Sequence, residues 1–157
     1  MSNNCDSLFN ALFNNSTNFL NKIALIIVDF QNDFISGTLS TINSPSKQNS
    51  AEIISKLNSI LGYFHYFEKV FISKDWHPKD HISFHSSRHC YVKYAGKKFT
   101  EEKIKNANVF DVVTYTLPCG VTFDQQLWPD HCIQNTFGSE IHKDLAVKLL
   151  IILPLDY

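Results

Sequence analysis

Two short stretches of this chain carry the residue types of a metal centre. Asp75-Trp76-His77-Pro78 directly follows the apolar run Val70 to Ile72, and Trp128-Pro129-Asp130-His131-Cys132 lies far along the sequence. Alternate side chains of a strand share a face, so Asp75 and His77 point one way and Trp76 the other. One carboxylate and one imidazole then converge. His131, from the distant segment, is the candidate third ligand and completes an oxygen-nitrogen-nitrogen set that leaves coordination positions open to water or substrate. His81 and His85, on the loop after His77, are alternative ligands or donors that orient one. The same donor set suits zinc first, and also iron or manganese.

A second carboxylate, Asp29, ends the apolar run Ile23 to Phe30. A charge at that place costs free energy unless it is paired or opens into a cleft. With Gln31, Asn32 and Asp33 beside it, a role in a site outweighs a role as a loop cap.

The elements that must position these groups follow from periodicity. Ile23 to Phe30 is a continuous apolar run of strand length, as expected of a central parallel strand covered on both faces. Gly37, Ser40, Ser44 and Pro45 mark a loop. Residues 46 to 62 then place Ile53, Ile54, Leu57, Ile60 and Leu61 at helical spacing, ending at Gly62. Lys69 to Ser73 is the second strand. Strand, helix and strand at this spacing form a βαβ unit with a parallel sheet. Asp29 and Asp75 then lie at carboxyl ends of strands, where open α/β sheets bind ligands. Residues 85 to 126 read as a loop-rich, lid-like insertion with one short helix near Thr100 to Ala107. Glu140 to Lys148 is expected as a short helix and Leu149 to Leu153 as a third strand. Residues 1 to 21 read as an N-terminal extension with a short amphipathic helix through Leu8, Phe9, Leu12 and Phe13.

Composition narrows the partners. The chain has 157 residues, 44% of them hydrophobic, and a formal net charge of −1. That suffices for one domain with a core, and removes the electrostatic case for nucleic acid or an anionic membrane. Cys5, Cys90, Cys119 and Cys132 form no Cys-x-x-Cys pair and no disulfide framework, and the N-terminus lacks the pattern of a signal peptide. The expectation is an intracellular protein, cytoplasmic or nuclear, acting on a small molecule. Cys132 reads as a small buried thiol despite its place beside His131. Cys119, in a turn between Pro118 and Gly120, is a weaker candidate still for chemistry.

The wording of three segments gives these features a family. Ile26-Ile27-Val28-Asp29-Phe30-Gln31-Asn32-Asp33-Phe34, then Asp75-Trp76-His77-Pro78-Lys79-Asp80-His81-Ile82-Ser83-Phe84, then Leu127-Trp128-Pro129-Asp130-His131-Cys132-Ile133-Gln134-Asn135-Thr136-Phe137-Gly138-Ser139-Glu140 resemble, in order, the isochorismatase-like cysteine hydrolases, and within them the nicotinamidases. The resemblance implies a three-layer α/β fold with a parallel sheet, of which about three strands are present, so that residues 1 to 157 form a single partial domain. It implies hydrolysis of nicotinamide, or a related amide, to the acid and ammonia, a step in NAD salvage. It assigns Asp75, His77 and His131 to one divalent metal, zinc foremost, and Asp29 to proton transfer as general base. Phe34 and Trp76 are candidates to line the substrate pocket.

The family also uses a lysine on the next strand and a nucleophilic cysteine at a later strand-to-helix turn. Where that lysine is expected, the sequence reads Leu149-Leu150-Ile151-Ile152-Leu153-Pro154-Leu155-Asp156-Tyr157. Lys148 falls too early and on the expected helix. Both partners of Asp29 are therefore expected to be absent, and the chain to be inactive as an amidase. An alternative is a catalytically dead, metal-binding isoform that associates with a full-length homologue, or with itself, through an exposed sheet edge. A two-histidine, one-carboxylate iron oxygenase fits the ligands but not the βαβ pattern, since those enzymes sit on antiparallel scaffolds.

Overall fold

A computed structural model describes residues 23–96, 99–147 and 151–155. The N-terminal helix expected near Leu8 to Phe13 lies outside the described residues. Strand β1 (Ala24–Ile27) is followed by a single helical turn, α1 (Asn32–Ile35), then by α2 (Ile54–Leu61) and β2 (Lys69–Asp75). β1 and β2 pair in parallel, with Ala24 opposite Lys69 and Ile27 opposite Ile72. The expected strand-helix-strand unit is present. A 3₁₀ turn, Ser50–Ile53, leads into α2, so the helix is shorter than its apolar spacing extends.

β5 (Ile151–Leu155) pairs in parallel with the other edge of β2, giving the order β1-β2-β5. Of the strand expected over Leu149 to Leu153, the described residues begin at Ile151, and Pro154 lies opposite Lys74. A proline, which lacks the N–H of the ladder, is tolerated on such an outer strand.

One face of this sheet has a core. Ile27, Ile72, Phe30, Ile35, Leu61 and Leu145 are buried together, and Ile54 and Leu57 of α2 pack on them. The other face differs from the expectation of a strand covered on both sides. Ile26 is 63% exposed and Val28 67%. Alternation along the strand sends these two away from the core that takes Ile27.

The segment after Gly138 also departs from its predicted helix. Ile141 forms an antiparallel bridge to Gln31, and His142 N–H donates to the Phe30 carbonyl (2.9 Å). Asn58 of α2 holds both Asp144 O and Ala146 N–H at 2.8 Å. The backbone of 141–146 is therefore hydrogen-bonded to other segments, and Leu145 still reaches the core.

Residues 85 to 126 contain more order than a loop. α3 (Glu101–Lys105) begins where expected, with the Thr100 hydroxyl accepting from Lys103 N–H. An antiparallel hairpin, β3 (Val112–Thr116) with β4 (Thr122–Gln126), follows it. Its turn passes through Gly120 at φ +88°, a conformation that glycine adopts without strain. Val113 and Tyr115 alternate inward and are fully buried with Ile104, Ala107 and Leu127 in a second core. Among the described residues, no helix is long and apolar enough to cross a membrane.

Candidate metal centre

Asp75 is the last residue of β2, and the chain leaves the strand with its alternation intact, so that His77 returns to the same side. Backbone pairing then draws in the distant segment. His77 N–H donates to Cys132 O (3.0 Å) and Gln134 N–H donates to His77 O (2.8 Å). Further along, Trp128 N–H donates to Ser83 O and His85 N–H to Trp128 O. These links place His131 beside Asp75. The Nε2 of His77 lies 2.9 Å from Asp75 Oδ1, and the Nε2 of His131 lies 3.2 Å from Asp75 Oδ2.

All three residues are buried, and their donor atoms lie within 4.8 Å of one another. Two rings and a carboxylate withdrawn from water at these distances fit a divalent cation by donor chemistry. The tautomer of His131 supports the fit. Its Nδ1 is 2.7 Å from Pro129 O, a pure acceptor, so Nδ1 carries a proton, and loss of the Nε2 proton to an incoming cation would turn the Nε2 lone pair toward the cluster.

The electrostatics are those of a coupled cluster. Burial by itself raises the Asp75 pKa, but hydrogen bonds from His131 and His77 outweigh it and hold the carboxyl far below its usual range. Burial disfavours charge on His131, yet its bond to Asp75 and the Pro129 carbonyl raise its pKa overall.

The other sequence candidates separate clearly. His81 stacks on His77 with ring centroids 4.3 Å apart, and its Nδ1 meets Ser83 Oγ at 2.7 Å. His85 is turned away, with Nε2 on Ala107 O at 3.0 Å. Asp29 follows β1 at φ +51°, half-buried, and shares with Asp75, His77, His81, Trp128 and His131 a cleft of about 340 Å³. A larger hollow of about 560 Å³ lies beside α3, where, among the described residues, it gathers no group of metal-ligating side chains.

Phe34 packs edge-on against His131, with centroids 6.0 Å apart. Trp76 does not line the cleft: alternation puts it on the other side of the strand end, where Lys74 Nζ sits 4.4 Å from its ring. The aromatic residue on the cleft wall is Trp128. Cys132 is fully buried, and burial, followed by the nearby charges of Asp75 and Asp33, raises its thiol pKa. This environment is the opposite of one that activates a thiolate.

Three residues beyond the candidate ligands and base complete the arrangement. Gln31, fully buried, donates from Nε2 to Asp75 O (2.7 Å) and Ser139 O (2.9 Å) and accepts from Asp75 N–H (2.7 Å). Ser73 donates to Asp29 Oδ1 at 2.6 Å while accepting from Asp29 N–H at 3.1 Å. Asp33 accepts from Cys132 N–H at 2.7 Å. Periodicity shows that Ser73 shares a face with Asp75, but it does not reveal the partners of any of the three.

No family model matches the chain. Curated relatives do. The nicotinamidase of Acinetobacter baylyi is 37% identical over 134 residues, covering 84% of this chain and 49% of the relative. That of Schizosaccharomyces pombe is 33% identical over 122 residues, covering 78% and 47%. Among solved structures, a nicotinamidase/pyrazinamidase of Acinetobacter baumanii superposes with a TM-score of 0.57 at 32% identity, covering 85% of this chain and 51% of that one. The yeast nicotinamidase bound to the inhibitor nicotinaldehyde superposes at 0.60 with 27% identity, covering 85% and 56%. The chain thus spans about half the length of the relatives it matches. Over that half, the chain is similar in both sequence and fold to nicotinamidases.

Proposed function

We propose that this chain carries the metal-binding and proton-transfer half of an amidohydrolase site for nicotinamide or a closely related small aromatic amide. The observation that supports this reading most is the convergence of Asp75, His77 and His131 on one buried point, in the same cleft as Asp29. A bound divalent cation, with zinc the best match to one oxygen and two nitrogens, supplies positive charge and an open position for a neutral donor of the substrate or for water.

The protein's own residues provide the rest. Asp29 is the general base: Ser73 fixes its carboxylate, which is placed to take a proton from an attacking group and return it to a leaving amine. Gln31 locks the strand end that carries Asp75. Hydrolysis of nicotinamide by this plan gives nicotinate and ammonia, the reaction that feeds NAD salvage. A covalent route also needs an activated thiol. Cys132 does not serve, being buried with a raised pKa, and Cys90 and Cys119 are exposed and outside the cleft.

The 157-residue chain is accordingly expected to bind metal and to release negligible ammonia from nicotinamide. An ammonia assay on the zinc-loaded chain checks this; robust release that chelation removes would overturn it. A second reading, association with itself or with an intact homologue, is favoured by the open apolar face of Ile26 and Val28. Sedimentation equilibrium of the purified chain, alone and mixed with an intact homologue, tests it, with a monomer in both runs as the contrary result.

A further inference from the structure

We propose that Asp33 is the positioning residue of the metal centre, aiming His131 through the backbone of Cys132; this rests on the metal-binding reading above. Cys132 directly follows His131 and has a left-handed backbone, φ +47°, which is costly for a residue with a Cβ. Both of its peptide groups are engaged. Its carbonyl accepts from His77 N–H at 3.0 Å, and its N–H donates to Asp33 Oδ2 at 2.7 Å. One residue thus joins two candidate ligands to a single carboxylate.

The surroundings are shaped for that carboxylate. Its other oxygen accepts from Thr38 N–H at 3.3 Å. A Cβ placed at Gly37 would collide with Asp33 Oδ1, and one placed at Gly138 would collide with Oδ2. Two glycines from separate segments therefore leave the space that the carboxylate occupies. Thr38 also donates to Asp130 O at 2.8 Å, and Ser86 to Asp130 Oδ1 at 2.6 Å, so the residue before His131 is held as well. A charge-assisted bond at 2.7 Å is the strong member of this set. Without it the Cys132 peptide relaxes toward negative φ, and the His131 ring swings off the line to Asp75.

The test compares Asp33→Ala, Asp33→Asn and His131→Ala in the full 157-residue chain. Zinc affinity is measured by competition with a chromogenic chelator, and the visible spectrum is recorded with cobalt(II) in place of zinc. Loss of a hydrogen bond behind a metal ligand weakens binding by roughly 10–100-fold. Asp33→Ala is expected to fall in that range and to shift its cobalt spectrum toward that of His131→Ala, while circular dichroism stays native. Asp33→Asn, which keeps one acceptor oxygen, should fall between wild type and Asp33→Ala.

Zinc affinity within twofold of wild type for both Asp33 variants, with an unchanged cobalt spectrum, would overturn the proposal if His131→Ala still weakens binding. If His131→Ala has no effect either, the metal reading itself fails. Unfolding of both Asp33 variants under conditions where His131→Ala folds would equally reject it, since the carboxylate would then hold the fold and not the ligand.

Discussion

The cleft and the hairpin insertion are held together by different means. Around the cleft, buried and half-buried polar side chains reach across to backbone groups: Gln31 to Asp75 and Ser139, Asn32 to Phe137, and Asp33 to Cys132. In the insertion, Ile104, Val113, Tyr115 and Leu127 exclude water from an apolar core, and the hairpin ladder closes on itself. Directional bonds fix where a ligand atom points. Apolar burial is non-directional, and fixes only that the element stays folded. The chain places its candidate chemistry on the first kind of support and uses the second to wall the cleft.

This contrast can be broken first at the ligands. Asp75→Ala removes the carboxylate shared by both imidazoles, and zinc affinity is expected to drop by more than about 100-fold, as judged by equilibrium dialysis, because both rings lose their common partner. Next is the insertion core. Ile104→Ala empties a fully buried position and should cost about 2–5 kcal/mol in denaturant unfolding, with the zinc affinity of the folded chain nearly unchanged. A parallel collapse of metal affinity would show that the two regions are not separate supports.

The pH dependence sharpens the comparison by a smaller amount. His131 has a pKa raised above its ordinary 6.5, so its protonated contact with Asp75 stabilises the metal-free chain below pH 6.5 and is lost as pH rises through the raised value. Asp75, lowered from 3.8, contributes above that value and loses its contribution as acidification approaches its depressed pKa. Thermal melts in the presence of a chelator should therefore show this contribution fading as the pH rises above 6.5. Zinc should reverse the trend, because the cation competes with the proton on His131. Hairpin-core variants should leave this profile unchanged. Smallest of all is Tyr115→Phe. The Tyr115 hydroxyl is buried with no hydrogen-bond partner among the described residues, and its pKa is pushed up to about 12. Its removal should leave stability equal or improved by about 1 kcal/mol in the same denaturant assay.

The division also explains what the sequence made legible. Asp75 and His77 could be paired from the period of a strand, and the βαβ order placed Asp29 beside them, because both inferences use local spacing. His131 joined them by resemblance. Gln31 and Asp33 were visible only as neighbours of Asp29, since the groups they hold lie 44 and 99 positions away in the chain. The hairpin escaped because Val113 and Tyr115 give only two inward positions, although Pro118 and Gly120 marked its turn. The helix expected over 140–148 failed for the converse reason. Its apolar residues fit a helix, but Gln31, Phe30 and Asn58 capture its backbone first. Ile26 and Val28 look like core residues by type, and the apolar run Ile23 to Phe30 gives no indication by composition that their face is open.

The metal centre is tested most directly by X-ray absorption fine structure, with zinc content, on the zinc-loaded 157-residue chain. One zinc per chain is expected, bound by two imidazoles and oxygen or nitrogen donors at about 2.0–2.2 Å, with no sulfur in the first coordination sphere. A sulfur scatterer near 2.3 Å would bring a cysteine into the first coordination sphere, and failure to load stoichiometric zinc would remove the centre altogether; either result contradicts the assignment of Asp75, His77 and His131.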